Sequence, residues 1–388
     1  MTTPAFVLVT TSFPTSDDGS EAAGSFVSDL AEELAKHVPV RVVAPGRDSG
    51  CEIWRGTIEV FRYAAPERPV STLKPWQPRD LLAIWRVLRG GQAATEAAVR
   101  AGPISHILAF WALPSGYWAR RTARASGVPY SAWTLGSDIW ALGRIPLVRS
   151  LLRSVLRDAA VCYSDGLQLA KDTRRIAGRD VAFLPSTRRI ELEHAPPPRI
   201  APPYRLLFLG RWHANKGVDL LLDALAMLGN DDWARIERVE IQGGGPLEQL
   251  VHERVATLAR AGRPVGAGRF LAKAEAEAAI VRADVVLIPS RIESIPVVFS
   301  DAMKLNRPVV AMPVGDLTEL ISRHHVGYVA ANVDAKAFSL AMIRMLQMSP
   351  SEFVRATKEV ATQFDLEHTI VPTLLTLTHI RAEGRRRA

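Results

Sequence analysis

The sequence predicts an α/β protein made of two parallel-sheet domains, and three observations carry that reading. Short apolar runs alternate with helix-period segments along the chain. The runs are apolar at nearly every position, as in strands covered on both faces of a sheet. A proline-rich stretch near the midpoint interrupts the alternation, which then restarts. At 388 residues the chain is long for one core and comfortable for two.

The first run, Ala5 to Thr10, ends in a loop rich in Ser, Pro, Asp and Gly. Phe26, Val27, Leu30 and Leu34 follow at helical spacing, and Val40 to Ala44 is stopped by Pro45 and Gly46. Strand, loop, helix, strand opens a parallel α/β unit. Further strands are predicted at Ile104–Phe110, Tyr130–Thr134 and Ala160–Ser164, with helices between them. Residues Ala195 to Tyr204 read APPPRIAPPY; five prolines in ten positions suit neither a helix nor a central strand, so an extended linker is expected there.

Past the linker, strands are predicted at Arg205–Leu209, Val239–Gln242, Asp284–Pro289 and Pro308–Met312, each followed by a loop and a helical run. The expected domains are 1–196 and 203–365, with a C-terminal helix at about 366–388 packing back onto the first. Two such domains are expected to face a central cleft at the carboxyl ends of their strands, where open α/β sheets bind ligands. The arginines Arg385, Arg386 and Arg387 read as a frayed terminus.

Composition narrows the function classes. The chain is 48% hydrophobic and 23% charged, as in ordinary globular proteins. It lacks a signal-peptide pattern at Met1–Pro4 and any run of about 18 apolar residues. Cys51 and Cys162 allow at most one bridge and suggest a reducing compartment, hence a cytoplasmic protein. The net charge of +8 suits anionic ligands or a membrane surface. Residues 1–196 hold 24 Lys and Arg against 19 Asp and Glu, a mild excess. Within them Arg144–Asp158 is a basic amphipathic stretch, with Arg149, Arg153 and Arg157 opposite Leu151, Leu152, Val155 and Leu156. It suits a domain helix, or contact with the inner face of an anionic membrane.

Two segments carry chemistry. Gly210-Arg211-Trp212-His213-Ala214-Asn215-Lys216-Gly217 follows a strand and enters a helix, so two cations can converge on one anionic group. The GxxxxGK[ST] order of a phosphate loop is absent. Pro289 to Pro296 (PSRIESIP) leads into a helix, with Glu293 in the loop and Asp301 about two turns on. Its start offers N–H groups from Ser294, Ile295, Val297 and Val298 to an anion. The acid pairs Asp17-Asp18 and Asp231-Asp232 read as solvated turn residues.

The order GRxxxxKG, then Gly243-Gly244-Gly245-Pro246, then PSRxE with an acid eight residues on, resembles the retaining glycosyltransferases of family 4 (group 1). That resemblance spans about 5–330. It implies the GT-B architecture of two Rossmann-like domains, an acceptor-side first and a donor-binding second. It further implies transfer of a sugar from a nucleotide-diphosphate sugar, with retention, to a saccharide or lipid-linked acceptor in polysaccharide or glycolipid assembly. No cofactor and no bound metal are expected, and no nucleic acid.

By the same resemblance, Arg211 and Lys216 stabilise the departing diphosphate and Glu293 contacts the donor sugar. Asp301 stands where a Glu holds the ribose. Gly210, Gly243, Gly245, Ser294 and Ile295 line the donor, and Leu271 and Ala272 meet the base, with Ala272 in place of the usual Gly. In the first domain Gly24, or less well Gly19, approaches the phosphates. Trp133 to Asp138 (WTLGSD) resembles the family's HGSD loop, which places Gly136 and Asp138 at the sugar; Leu135 stands where many members have His. The alternatives are a sugar-nucleotide epimerase of the same architecture and an inactive sugar-nucleotide-binding relative. A dinucleotide-dependent oxidoreductase would need GxGxxG directly after a strand, which is lacking.

Overall fold

The computed structural model describes residues 3–16, 24–66, 77–192 and 194–380. It divides into two compact units, Met1–Ser186 with Leu366–Ala388, and Thr187–Asp365.

In the first unit eight strands form one sheet of order β3-β4-β2-β1-β5-β6-β7-β8. They are β1 (Ala5–Val9), β2 (Val40–Gly46), β3 (Gly50–Trp54), β4 (Ile58–Ala64), β5 (Ile104–Phe110), β6 (Tyr130–Thr134), β7 (Cys162–Ser164) and β8 (Ala182–Phe183). All pairings are parallel except β3 with β4. That hairpin was not legible as strands, because β3 (GCEIW) is a short exposed edge whose apolar residues are interrupted by Glu52. The helices are α1 (Ser25–Ala35), α2 (Pro78–Arg100), α3 (Ser115–Ser126), α4 (Ser137–Trp140), α5 (Pro146–Asp158) and α6 (Leu167–Ala177).

Two cores lie on opposite faces of this sheet, since neighbouring strand residues point to opposite sides. Val7 and Val9 join Val87, Trp118, Leu152, Val155 and Leu169 under α2, α3, α5 and α6. Phe6 and Leu8 join Val27, Leu30 and Leu34 of α1 on the other side. Leu366, Ile370, Val371, Leu374 and Leu377 complete this second core, so the chain's last described turns belong to the first unit.

The second unit carries a six-stranded parallel sheet of order β11-β10-β9-β12-β13-β14. Its strands are β9 (Tyr204–Arg211), β10 (Ile236–Gly244), β11 (Val265–Ala267), β12 (Val285–Ile288), β13 (Val309–Ala311) and β14 (Gly327–Val329). The connecting helices are α7 (Val218–Ala226), α8 (Asn230–Trp233), α9 (Glu248–Arg260), α10 (Lys273–Arg282), α11 (Val297–Lys304) and α12 (Leu317–His324), followed by α13 (Ala335–Leu346) and α14 (Val354–Ala361).

The chain enters this unit at Thr187, ahead of the proline-rich stretch. Residues 187–192 and 194–203 are fastened to it by polar contacts. Glu277 accepts from the N–H groups of Glu191 and Leu192, and Asp284 from that of Arg199. The buried Arg307 donates to the carbonyl of Pro196. Proline lacks an N–H but keeps its carbonyl, so a proline-rich segment can still be bound along a domain surface.

Candidate functional site

The strands of the second unit end in loops on one edge of its sheet, and those loops are locked to one another. After β9 the chain makes a single 3-10 turn, Ala214–Lys216, closed by Gly217 at φ 69. A Cβ on Gly217 would stand 1.9 Å from the carbonyl oxygen of Pro289, so glycine alone lets the β9 and β12 loops touch. Arg291 fastens the same junction. Its N–H donates to the Asn215 carbonyl at 2.8 Å, and its guanidinium donates to the Ala214 carbonyl at 2.6 Å and to both oxygens of Asp219 at 2.8 and 2.6 Å. Burial works against the Asp219 carboxylate, but Arg291's hydrogen bonds and charge outweigh it and hold the pKa below its ordinary value.

Within this junction Lys216 donates to Glu293 Oε1, which also accepts from the Ser290 hydroxyl at 3.0 Å. An ammonium has three N–H donors. One is used on Glu293, leaving two for an anion. The start of α11 lies four residues past Glu293, where the first helical N–H groups lack intrahelical acceptors. Ser294 Oγ is buried there with no hydrogen-bond partner, and Ile295 is buried beside it. The β13 loop closes behind, its Gly315 against the carbonyls of Glu293 and Ser294.

The other residues singled out in the second unit lie at the ends of neighbouring strands and in the loops that follow them. Arg211 is exposed at the last position of β9. Gly210 is in register with Gly243. A Cβ on Gly243 would stand 1.9 Å from the Gly210 carbonyl oxygen. Gly245 lies in the turn that wraps Trp212, whose N–H donates to Gly244 and whose carbonyl accepts from Leu247. Leu271 and Ala272 follow β11 and are half-buried; Glu275 accepts from the Ala272 N–H at 2.9 Å at the start of α10.

Asp301 is set apart by its burial, being 1% exposed. Its Oδ2 accepts twice from Arg188, at 2.7 and 2.6 Å, while its Oδ1 has no partner. Lys304 holds the same segment through the Thr187 hydroxyl and Arg188 carbonyl, both at 2.6 Å. The sequence reading gave no role to Arg188 or Arg291. Arg291 lies inside PSRxE and was within reach of it; Arg188 meets Asp301 only through the tertiary fold.

In the first unit Gly24 caps the start of α1 at φ 80. A Cβ there would lie 2.6 Å from the backbone of Ser12 and Phe13, so this glycine sets the loop after β1 close against the helix start. Gly19 and Asp17-Asp18 lie outside the described residues, as do Arg385, Arg386 and Arg387. Gly136 precedes α4 at φ 106. Asp138 in that helix is buried, accepting from the N–H groups of Ala112 at 2.7 Å and Leu135 at 3.3 Å. Burial pushes its pKa up to about 6, against those hydrogen bonds. Asp138 therefore ties the ends of β5 and β6 together. Leu135 packs half-buried against the α1-side core. Beside it Trp111 adopts φ 64, a conformation that costs a bulky residue on the order of 1–3 kcal/mol and that no sequence pattern announces.

Asp232 accepts from the Gly229 N–H at 2.9 Å and so serves a helix start. Among the described residues no three His, Cys, Asp or Glu side chains are grouped to hold a metal ion, and no helix is long and apolar enough to cross a membrane. Both cysteines are free thiols.

Comparison with known proteins gives this geometry its class. Residues 203–348 match the family described as Glycosyl transferases group 1. The second unit is a glycosyltransferase group 1 domain, and the chain that carries it is a glycosyltransferase. No curated protein sequence matches the chain. Solved structures share its fold at low identity. A sucrose-phosphate synthase from Thermosynechococcus elongatus is 18% identical with a TM-score of 0.72, over 96% of this chain and 98% of that one. An E. coli structure described as trehalose-6-phosphate bound with UDP-2-fluoro glucose is 13% identical with a TM-score of 0.74, over 97% and 99%. Anabaena HepE in complex with UDP is 15% identical with a TM-score of 0.68, over 97% and 100%. The fold is that of the GT-B glycosyltransferases, two parallel-sheet Rossmann-like domains.

Proposed function

We propose that this glycosyltransferase moves a sugar from a nucleotide-diphosphate sugar to a saccharide or lipid-linked acceptor, with retention of anomeric configuration. The observation that carries the reading is the Lys216 ammonium held on Glu293 at the start of α11, with donors to spare for an anion. As the bond from the sugar carbon to the diphosphate oxygen breaks, negative charge grows on the leaving group. Lys216, Arg211 and the α11 N–H groups meet that charge without reorganising. The acceptor oxygen bonds to the same face of the carbon, and its proton passes to the departing phosphate. No protein nucleophile and no metal are needed for this course. Glu293 orients Lys216 and faces the donor sugar. Anabaena HepE, which shares the fold, is described in complexes with UDP, with UDP and glucose, and with UDP-glucose, so UDP-sugars are the first donors to test.

The test is incubation of the pure protein with UDP-, GDP- and ADP-sugars, following thermal shift and nucleotide release. Stabilisation and release with one of them support the reading. Stabilisation by none, with stabilisation by NAD, would overturn it. An inactive relative is the second reading, favoured by Leu135 and by the commitment of both Asp138 oxygens to backbone N–H groups. It predicts binding with no release in the presence of any acceptor.

A further inference from the structure

Trp111 holds a backbone conformation that a bulky residue avoids, and three contacts keep it there. Its φ is 64. Its N–H donates to the Trp133 carbonyl at 2.9 Å, and its carbonyl accepts from Gly116 at 3.1 Å. The next N–H in the chain, that of Ala112, donates to the buried Asp138 at 2.7 Å. Glycine would meet this φ without strain, yet an indole stands there. Strain of this kind persists only where the surroundings over-determine it, and it gathers at ligand-binding positions.

The neighbours of Trp111 are apolar too. Trp111 directly follows β5, Leu135 directly follows the adjacent β6, and Phe26 lies in the first turn of α1. All three are half-buried and pack on the α1-side core. The Phe26 and Trp111 rings meet edge to face, with centroids 6.4 Å apart and planes at 72°. These side chains line the carboxyl edge of the sheet, where open α/β sheets receive ligands. None of them is charged, and both Asp138 oxygens are taken by backbone N–H groups. Trp54 and Trp140 give their indole N–H groups to carboxylates, whereas that of Trp111 has no acceptor among the described residues.

We infer that Trp111 is the platform on which the first unit seats a neutral pyranose ring of the acceptor. The face of an indole is negative, and the axial C–H bonds on one face of a pyranose are positive, so the two stack. The indole N–H is left to donate to a hydroxyl at the edge of the sugar. Charge selects the acceptor over the donor. A nucleotide-diphosphate sugar calls for cations, and these stand at Arg211 and Lys216 in the second unit. An uncharged floor suits a neutral ring. The role as acceptor seat rests on the proposed transfer; sugar binding by the floor does not.

The test is ligand-detected NMR on the full chain, without sugar nucleotide, using the methyl pyranosides of glucose, galactose and mannose. Saturation is expected to pass from the protein to the axial ring hydrogens of at least one of them. With 5-fluorotryptophan incorporated, the fluorine line missing from Trp111→Phe is expected to move on adding that pyranoside, the other lines holding still. Trp111→Ala is expected to weaken binding about tenfold, and Trp111→Phe, which keeps a ring, about threefold. Melting temperatures are measured beside these, and Trp111→Phe decides the matter if Trp111→Ala melts early. Thermal shifts by sugar nucleotides should match the parent's in both variants, so failure here is distinct from failure of the Lys216 site. The absence of saturation transfer to any pyranoside would overturn the inference. So would a Trp111→Ala chain that melts and binds like the parent. A Trp111 line that moves with UDP-sugars but with no pyranoside would assign the ring to the donor, and one that moves only with geranyl phosphate would assign it to a lipid tail; either overturns the inference.

Discussion

Replacing Lys216 with alanine separates the chemistry proposed for this site from its folding. The Lys216 side chain is 36% exposed and its partner Glu293 12%, so the pair is partly solvated. Breaking it leaves Glu293 with the Ser290 hydroxyl, a loss of about 1 kcal/mol in stability. For a unit of this size that lowers the melting temperature by roughly 2–4 °C. The catalytic loss should be much larger. Removing one charged donor from a developing oxyanion costs on the order of 10²–10³ in rate, because the donor's full strength is called on only as the diphosphate leaves. Initial rates of nucleotide release at saturating donor, beside calorimetric melting of the same preparations, measure both numbers. Lys216→Arg should recover part of the rate. Lys216→Ala with release within about threefold of the parent would refute the assignment. So would a rate loss matched by general unfolding.

Other perturbations test the surrounding geometry. Gly217→Ala must place its Cβ 1.9 Å from the Pro289 oxygen at positive φ, so the β9 and β12 loops separate; donor affinity by calorimetry should fall at least about tenfold. Asp301→Asn removes one charge from the buried Arg188–Asp301 pair and should destabilise the protein by about 3 kcal/mol in denaturant melts, with or without donor. His106 is buried beside the Ser131 hydroxyl, and burial lowers its pKa to about 3. It stays neutral in the fold while the unfolded chain takes up a proton near 6.5, so its contribution is intact above 6.5 and is lost as pH falls toward about 3. Asp138, raised to about 6, acts with the opposite sign in the window below 6. His106→Gln should therefore flatten the acid side of the stability curve, by at most about 1.4 kcal/mol per pH unit.

The alternation of apolar runs and helical segments determined the two parallel α/β units by itself, because strands buried on both faces must be continuously apolar. It also located the strand-end loops that hold Arg211, Lys216 and Glu293, since the chemistry of those loops is local. The β3–β4 hairpin escaped, its exposed edge having no such run. What the linear order could not contain were the partners. Lys216 and Glu293 lie 77 positions apart, and Arg188 and Asp301 lie 113 apart. The first pair exists because parallel crossovers return each strand end to one edge of the sheet, and the second because the segment entering the unit packs along α11. The proline-rich segment looked like a free linker because prolines stop regular structure. Only the fold supplied Arg307 and Asp284, whose hydrogen bonds hold it to the second unit. Likewise the period of α2 marks an amphipathic helix, but which apolar residues stay in water was decided by the sheet it packs on.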